Sequence, residues 1–253
     1  MLGRRNEMTT TTFPTLLEEF RKEAEMATQL FFTYTTIHKT GASDKSVHRM
    51  LNRHPWFWNT TIYGLQCSLF IVLGRVFDDS SDALSVQKLL RYCANKPQIF
   101  ALNSLRKRKT RILRDKSSVT TYISHKTEPP PEVMRPIRKL VCKTRQKATT
   151  YIDIRNKVFG HKIAFRKAHI SALFSKAQLD EVEEMVLFLE WLYRQLWQLY
   201  YNGRLPESQC PYRSLDDLRA NKHFSGSLST AERITNDTQD ALHQASGHEE
   251  QTA

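Results

Sequence analysis

The sequence predicts an all-α fold, a bundle of four or five principal helices with a basic insertion and a polar C-terminal tail, and three observations carry that reading. Apolar residues recur at spacings of three and four over several long segments, strand-like alternation is absent, and 40% of the 253 residues are hydrophobic, enough to bury a substantial core. Residues 13–203 are expected to form the helical domain, with 114–131 as a flexible insertion. Residues 204–253 are expected to be a polar, partly disordered extension.

The first helix is read from about Pro14 to Ile37. Leu16, Leu17, Phe20, Ala24, Ala27, Leu30, Phe31, Tyr34 and Ile37 share one stripe, with Glu18, Arg21, Lys22 and Glu25 mostly opposite. Gly41 to Lys45 reads as a loop. A second helix starts near Pro55, a residue suited to a first helical position, and continues through Leu65, Leu69, Val72 and Val76 to Phe77. It is apolar nearly all round and so is expected to be the central helix. Trp56, Phe57 and Trp58 at its start are either core or dimer contacts, or rings on which bases stack. Asp78, Asp79, Ser80, Ser81 and Asp82 are read as ending it and capping a short helix, Ala83 to Cys93.

From Pro97 a further helical stretch leads into Arg106, Lys107, Arg108, Lys109, Arg111 and Arg114. The segment from Asp115 to Pro131, rich in serine, threonine and proline, excludes a continuous helix. Helical periodicity resumes from Glu132 or Ile137 to Phe159, with Ile137, Leu140, Val141, Ala148, Ile152, Val158 and Phe159 as its stripe and Gly160 as a terminator. The last strong helix spans about Ala177 to Tyr201 and is closed by Asn202 and Gly203. Beyond Arg204 the apolar density falls, and no sustained stripe is visible.

The formal net charge is +12, and clustered lysine and arginine favour a polyanionic partner through phosphate contacts and counterion release. No signal-peptide pattern follows the basic residues at the start, and the most apolar stretch, Ile62 to Leu73, is far short of the roughly 20 residues that a membrane helix needs. A cytoplasmic protein without membrane association is expected. Cys67, Cys93, Cys142 and Cys210 are widely separated, as packing cysteines of a reduced protein are. Asp78, Asp79 and Asp82 lie close together, but no histidine or glutamate motif accompanies them, so neither a metal nor another cofactor is expected.

The run from Asp153 to His161 places a cation, an amide and a titratable imidazole near the end of an amphipathic helix. Those groups suit cleavage of an RNA phosphodiester without a metal. His161 would act as general base or acid, its ordinary pKa near 6.5 suiting that work at neutral pH. Arg155 would stabilise charge building on the phosphoryl oxygens, and Asn156 would orient phosphate or imidazole. Stepping by three or four from Ala148 through Ile152 lands on Arg155, which places it on the face that should be buried. A guanidinium there is either used or structural, and Asp78 or Asp79 could pair with it. Arg75 could pair with Asp78 along its own helix, or support the Arg155 site. The basic run Arg106, Lys107, Arg108, Lys109 and Arg111 reads either as a solvated face or, with Lys157 and Lys162, as an RNA-contacting surface. On an ideal helix His161 lies roughly 120° around and about 9 Å along from Arg155, so the two converge on one phosphate only if Gly160 breaks the helix or if two copies face each other.

Arg155 and Asn156 followed by His161 resemble the HEPN signature of an arginine, a polar residue and, after a short spacer, a histidine. Upstream, Tyr63, Gly64 and Leu65, then Gly74 to Asp79, then Ala83, Leu84, Ser85, Leu89 and Leu90, resemble the AbiU2-like branch of that superfamily, over roughly Phe13 to Tyr201. The resemblance implies an α-helical domain, usually dimeric, often a metal-independent endoribonuclease of antiphage defence or toxin–antitoxin systems, with an antitoxin or other regulatory protein as a further partner. It equally includes non-catalytic members, so a helical module that binds RNA or protein, with Arg155 structural, is the rival reading. HEPN toxins controlled by nucleotidylation carry a tyrosine two residues after the histidine. Ile163 occupies that position here, which argues against such control.

Overall fold

A computed structural model of the chain describes residues 12–79, 85–113, 115–154, 156, 178–220 and 229–247. Among these residues there are ten α-helices, one 3₁₀ turn and no strand. The helices are α1 Phe13–Ser43, α2 Lys45–Arg53, α3 Pro55–Val76, α4 Val86–Asn95, α5 Leu102–Leu113, α6 Lys116–Ser124, α7 Arg135–Ile154, α8 Leu179–Asn202, α9 Leu215–Ala220 and α10 Thr230–Ala245. The four longest, α1, α3, α7 and α8, surround the main core. It joins Phe13, Leu17 and Phe31 of α1, Leu73 and Val76 of α3, Ile137 and Val141 of α7, and Met185, Leu189 and Leu196 of α8. A buried side chain of this size contributes about 1.5–3 kcal/mol over leaving it in water, so these repeats hold the bundle together.

Several elements differ from the sequence reading. Gly41 is no loop residue: α1 continues to Ser43, and Gly41 is buried where α2 crosses. A Cβ there would sit 2.7 Å from Leu51 Cδ1, so the glycine serves close packing. Asp44 then caps α2, accepting from the backbone N–H of Ser46 and Val47. That short helix, absent from the sequence reading, is held by Val47 and Met50, which join Ile37 and Leu242 in a second apolar cluster.

Only the C-terminal half of α3 is central. Leu69, Phe70, Val72, Leu73 and Val76 are buried, whereas Trp56 is 87% exposed, Phe57 63% and Tyr63 56%. In the first half, Trp58, Ile62 and Leu65 pack against the second apolar cluster, so only the face of Trp56, Phe57 and Tyr63 is left open. The cap of α4 is Ser85, whose hydroxyl accepts from Lys88 N–H at 3.3 Å, rather than the aspartates before it.

The segment read as a flexible insertion contains α6, capped by Asp115. The hydrogen bonds from Ser117 and Ser118 hold that carboxylate well below its usual range. Leu105, Val119 and Ile123 clasp α6 to α5, and Glu128, just before the three prolines, caps α5 by accepting from Leu102 N–H at 3.1 Å. The C-terminal extension is likewise built in. Tyr212, Leu218 and Ala231 belong to the main core, and α10 lies along α1. Ser229 and Glu232 form a capping box at its start, while His243 lies 3.6 Å from Asp44 near its end.

All four cysteines are free. Burial pushes the thiols of Cys93 and Cys210 up to about 12 and about 11, the state of packing cysteines. No helix among the described residues is long and apolar enough to cross a membrane.

Candidate functional site

The run that carries the arginine and the histidine leaves the end of α7, and the second half of that helix is fastened from three sides. Arg145 pairs with Asp79 beyond the end of α3, and Lys147 pairs with Glu184 of α8. Tyr151 is fully buried against Phe70 of α3, ring centroids 5.5 Å apart. Its hydroxyl donates to the Gln178 carbonyl and accepts from the Gln178 N–H, both at 3.3 Å, at the start of α8. Burial pushes the Tyr151 phenol up to about 12, so it stays protonated and keeps its donor. The buried face of α7 runs through Ile137, Val141, Ala148, Tyr151 and Ile154, while Leu140 and Ile152, expected on the stripe, lie at its flank. Leucine and isoleucine signalled the stripe, but the ring of Tyr151 fills the gap against α3.

Arg155, Lys157, His161 and Lys162 lie outside the described residues, as do Val158, Phe159 and Gly160. Asn156 is exposed at the irregular end of α7. Arg75 does not pair along its own helix: its guanidinium reaches Glu23 of α1 at 2.5 and 3.2 Å, a tie between α1 and α3. Asp79, one of the two carboxylates expected to pair with a structural Arg155, is engaged by Arg145. Asp78 is half-buried beside it.

The basic cluster divides in two. Arg108 is half-buried, donates to the carbonyls of Ile99 at 2.9 Å and Tyr200 at 2.7 Å, and lies 3.9 Å from the centre of the Tyr200 ring. Lys109 donates to Asn202 Oδ1 at 3.0 Å, and Tyr122 donates to the Asn202 carbonyl at 3.1 Å. These side chains satisfy the C-terminal end of α8, where cations complement the helix dipole. Gly203 completes that end with φ 61° and leaves room for Leu105. Burial lowers the pKa of both cations. Arg108 and Lys109 thus face inward, and Arg106, Lys107 and Arg111 are exposed. Neutralising those three should reduce the salt slope of binding to single-stranded RNA by roughly 0.7 for each phosphate that they neutralise. An unchanged slope in a filter-binding titration would place the RNA surface elsewhere.

A second polar feature escaped the sequence reading. Glu190 interrupts the apolar run from Met185 to Leu192, a signal that was visible in the chain. It lines a cavity of about 260 Å³ between α1, α8 and α10, with Arg21, Ala24, Glu25, Tyr193, Arg194, Trp197 and Thr230. One carboxylate oxygen, Oε1, is sealed from solvent without a hydrogen-bond partner. Burial raises the pKa of Glu190 above the ordinary 4.5, and Glu25 adds to the rise against Thr28, Arg194 and Arg233. A raised carboxyl favours the fold below the unfolded value and loses that contribution as pH climbs through the folded value. Glu190→Gln should therefore melt higher than the natural protein at neutral pH, with the gain shrinking toward pH 4.5. Melting temperatures of both proteins across that range measure it, and a gain independent of pH would contradict the assignment.

No match to the chain was found among curated proteins or among solved structures. The family model described as AbiU2, of the HEPN type, matches residues 11–221. That span takes in α1 to α9, the clamped end of α7 and the Arg155 to His161 run. The chain belongs to the AbiU2 family of HEPN domains.

Proposed function

We propose that this protein is a metal-independent RNA endonuclease of the HEPN type, acting in antiphage defence or as the toxin of a toxin–antitoxin pair. The observation that supports this most is the place of the run Arg155, Asn156 and His161 in an AbiU2-type domain, directly beyond a helix end anchored by Tyr151, Arg145 and Lys147. Three anchors on the preceding turns favour a motif held in register for chemistry, because small misplacements of reacting groups cost large factors in rate. In this reading His161 takes the proton of a ribose 2′-hydroxyl, whose oxygen attacks the adjacent phosphorus. Arg155 stabilises the charge on the phosphoryl oxygens, and the bond from phosphorus to the 5′-oxygen breaks as that oxygen takes a proton from solvent, giving a 2′,3′-cyclic phosphate, while the His161 imidazolium returns its proton to solvent. Asn156 assists, and Arg106, Lys107, Arg111, Lys157 and Lys162 hold the strand.

The test is incubation of the purified protein with total RNA in EDTA. Fragments ending in cyclic or 3′-phosphate support the enzyme. Binding without cleavage over a broad range of conditions supports the non-catalytic module.

A homodimer belongs to the same proposal. Ile152 of α7 packs against the main core, and Phe159 lies outside the described residues. The open face of α3 is a better seat for the second copy. Pro55 to Gly74 contains no charged residue in a chain of net charge +12, so two copies meet there with the least repulsion. Tyr63→Glu, which places two carboxylates in such an interface, should shift the protein to monomer in light scattering, whereas an unchanged mass would remove α3 from the interface.

A further inference from the structure

The corner where α2 meets α3 carries a pattern that the nuclease reading leaves unused. Lys45, Arg49 and Arg53 stand four residues apart on α2 and are all exposed, so they form one stripe with a cation about every 6 Å. Like charges at that spacing weaken a helix, and none of the three makes an ion pair among the described residues. Asp44 is the one acidic residue between Glu25 and Asp78. Its Oδ1 accepts from the N–H groups of Ser46 and Val47 at 2.7 and 3.1 Å, and His243 lies 3.6 Å from its other oxygen. The stripe is therefore left without a counter-charge of its own.

Three residues after Arg53 the chain presents Trp56 and Phe57, 87% and 63% exposed. Trp58, beside them, is turned inward onto the second apolar cluster. It meets Phe57 in a T-shaped pair with ring centroids 5.2 Å apart, which fixes an exposed ring from a packed one. At the other end of the stripe, Lys45, His48 and Arg49 line an open hollow of about 670 Å³ with Gly41, Ala42 and Asp44. That volume is in the range of sites for small ligands and holds a nucleotide.

A row of cations that ends in exposed rings fits a polyanion whose charges repeat and which carries planar groups. The spacing of the stripe is close to that of successive phosphates along an extended single strand, and a duplex hides the base faces that the rings would meet. A membrane surface also attracts cations, but it takes an apolar helix face, and Val47 and Met50 of α2 are turned to Ile37 and Leu242 instead. A second copy would bring the same unneutralised stripe, and Tyr63, about 10 Å further along α3, remains for that contact.

We propose that the corner of α2 and α3 is a binding surface for single-stranded RNA, with phosphates on Lys45, Arg49 and Arg53 and a base stacked on Trp56 or Phe57. The proposal rests on the nuclease reading only for the choice of RNA among single strands, and it adds a surface on α2 to the exposed cations of α5.

The test titrates the full-length protein in EDTA, by fluorescence anisotropy, with two labelled probes. One is a 2′-O-methyl uridylate decamer, which has no free 2′-hydroxyl and so survives the proposed cleavage. The other is an abasic decamer with the same number of phosphates. Trp56→Ala is expected to weaken the uridylate decamer by about fivefold or more, the scale of one lost base stack, and to leave the abasic decamer unchanged. Trp56→Phe keeps a ring and should retain most of the affinity. Changing Lys45, Arg49 and Arg53 together to Gln should lower the salt slope for both probes by roughly 2, at about 0.7 for each phosphate. All four residues are exposed, so the melting temperatures of these variants should stay close to that of the natural protein.

The proposal falls if the natural protein does not bind the uridylate decamer at low salt, or if Trp56→Ala binds it unchanged. It falls equally if Trp56→Ala weakens both probes alike, or if the triple variant keeps the natural slope. Conversion of Trp56→Ala to a monomer with RNA binding intact would give the ring to a second copy. Pelleting with phosphatidylserine vesicles that depends on Trp56, with RNA binding independent of it, would give the corner to a membrane surface. Cleavage is read separately on unmodified RNA, so a protein that cuts without using this corner keeps the nuclease reading, and one that binds here without cutting keeps this surface.

Discussion

Arg155→Ala is expected to lower RNA cleavage by about 10²–10³-fold while leaving the melting temperature close to that of the natural protein, as loss of one group that stabilises a transition-state oxyanion does. His161→Ala should cost about 10²–10⁴-fold, the range for removing a general acid or base. Rates on a defined single-stranded RNA in EDTA, measured beside thermal melts, separate the two readings of the arginine. If Arg155 is instead a buried structural cation, its removal strands a charge and costs about 3–5 kcal/mol of stability. A variant that loses activity together with that much stability would move Arg155 to the structural role. Where the arginine and histidine of one site come from different copies, mixing the two inactive variants under subunit exchange should restore part of the activity. Absence of rescue in a mixture shown to contain heterodimers would put both groups on one chain.

Tyr151→Ala should destabilise the protein by about 3–5 kcal/mol, or about 6–20 °C in melting temperature for a chain of this size. The ring is fully buried, packs on Phe70 and joins the end of α7 to Gln178. Tyr151→Phe keeps the ring and loses only the hydroxyl, so it should cost about 0.5–1.5 kcal/mol. If the nuclease proposal holds, Tyr151→Phe should also reduce cleavage without abolishing RNA binding, because Arg155 follows four residues later in the sequence. Equal stability of Tyr151→Ala and the natural protein would mean that α7 is not anchored at this ring.

The long helices were legible because each repeats its apolar residues over many turns. Reading α3 from Pro55 to Phe77 and α8 from Ala177 to Tyr201 places them within one or two residues of Pro55–Val76 and Leu179–Asn202. Helix α2 was not legible, since Val47, Met50 and Leu51 face inward over barely more than one turn of a nine-residue helix, too short for a repeat. Helix α10 left a clearer trace in Ser229 and Glu232, a serine followed three residues later by a glutamate, but its apolar residues are sparse. For the candidate site, the sequence showed the chemistry of Arg155, Asn156 and His161. It did not show the tyrosine that anchors the helix before them, because a tyrosine next to an isoleucine reads as the flank of a stripe.

By itself the sequence determined the helical class, the principal helices and the motif, all of which depend on neighbours three to six positions away. The tertiary structure decided which charges are engaged. Arg108 and Arg111 are alike in a basic run, yet Arg108 reaches the carbonyl of Tyr200, 92 residues along the chain, and Arg111 faces solvent. Arg75 is drawn from Asp78 on its own turn to Glu23 on another helix. It decided too that one face at the start of α3, Trp56, Phe57 and Tyr63, stays open while Trp58, Ile62 and Leu65 pack on the second cluster, because which side of an apolar helix is covered depends on how its neighbours cross it, and no local pattern records that crossing.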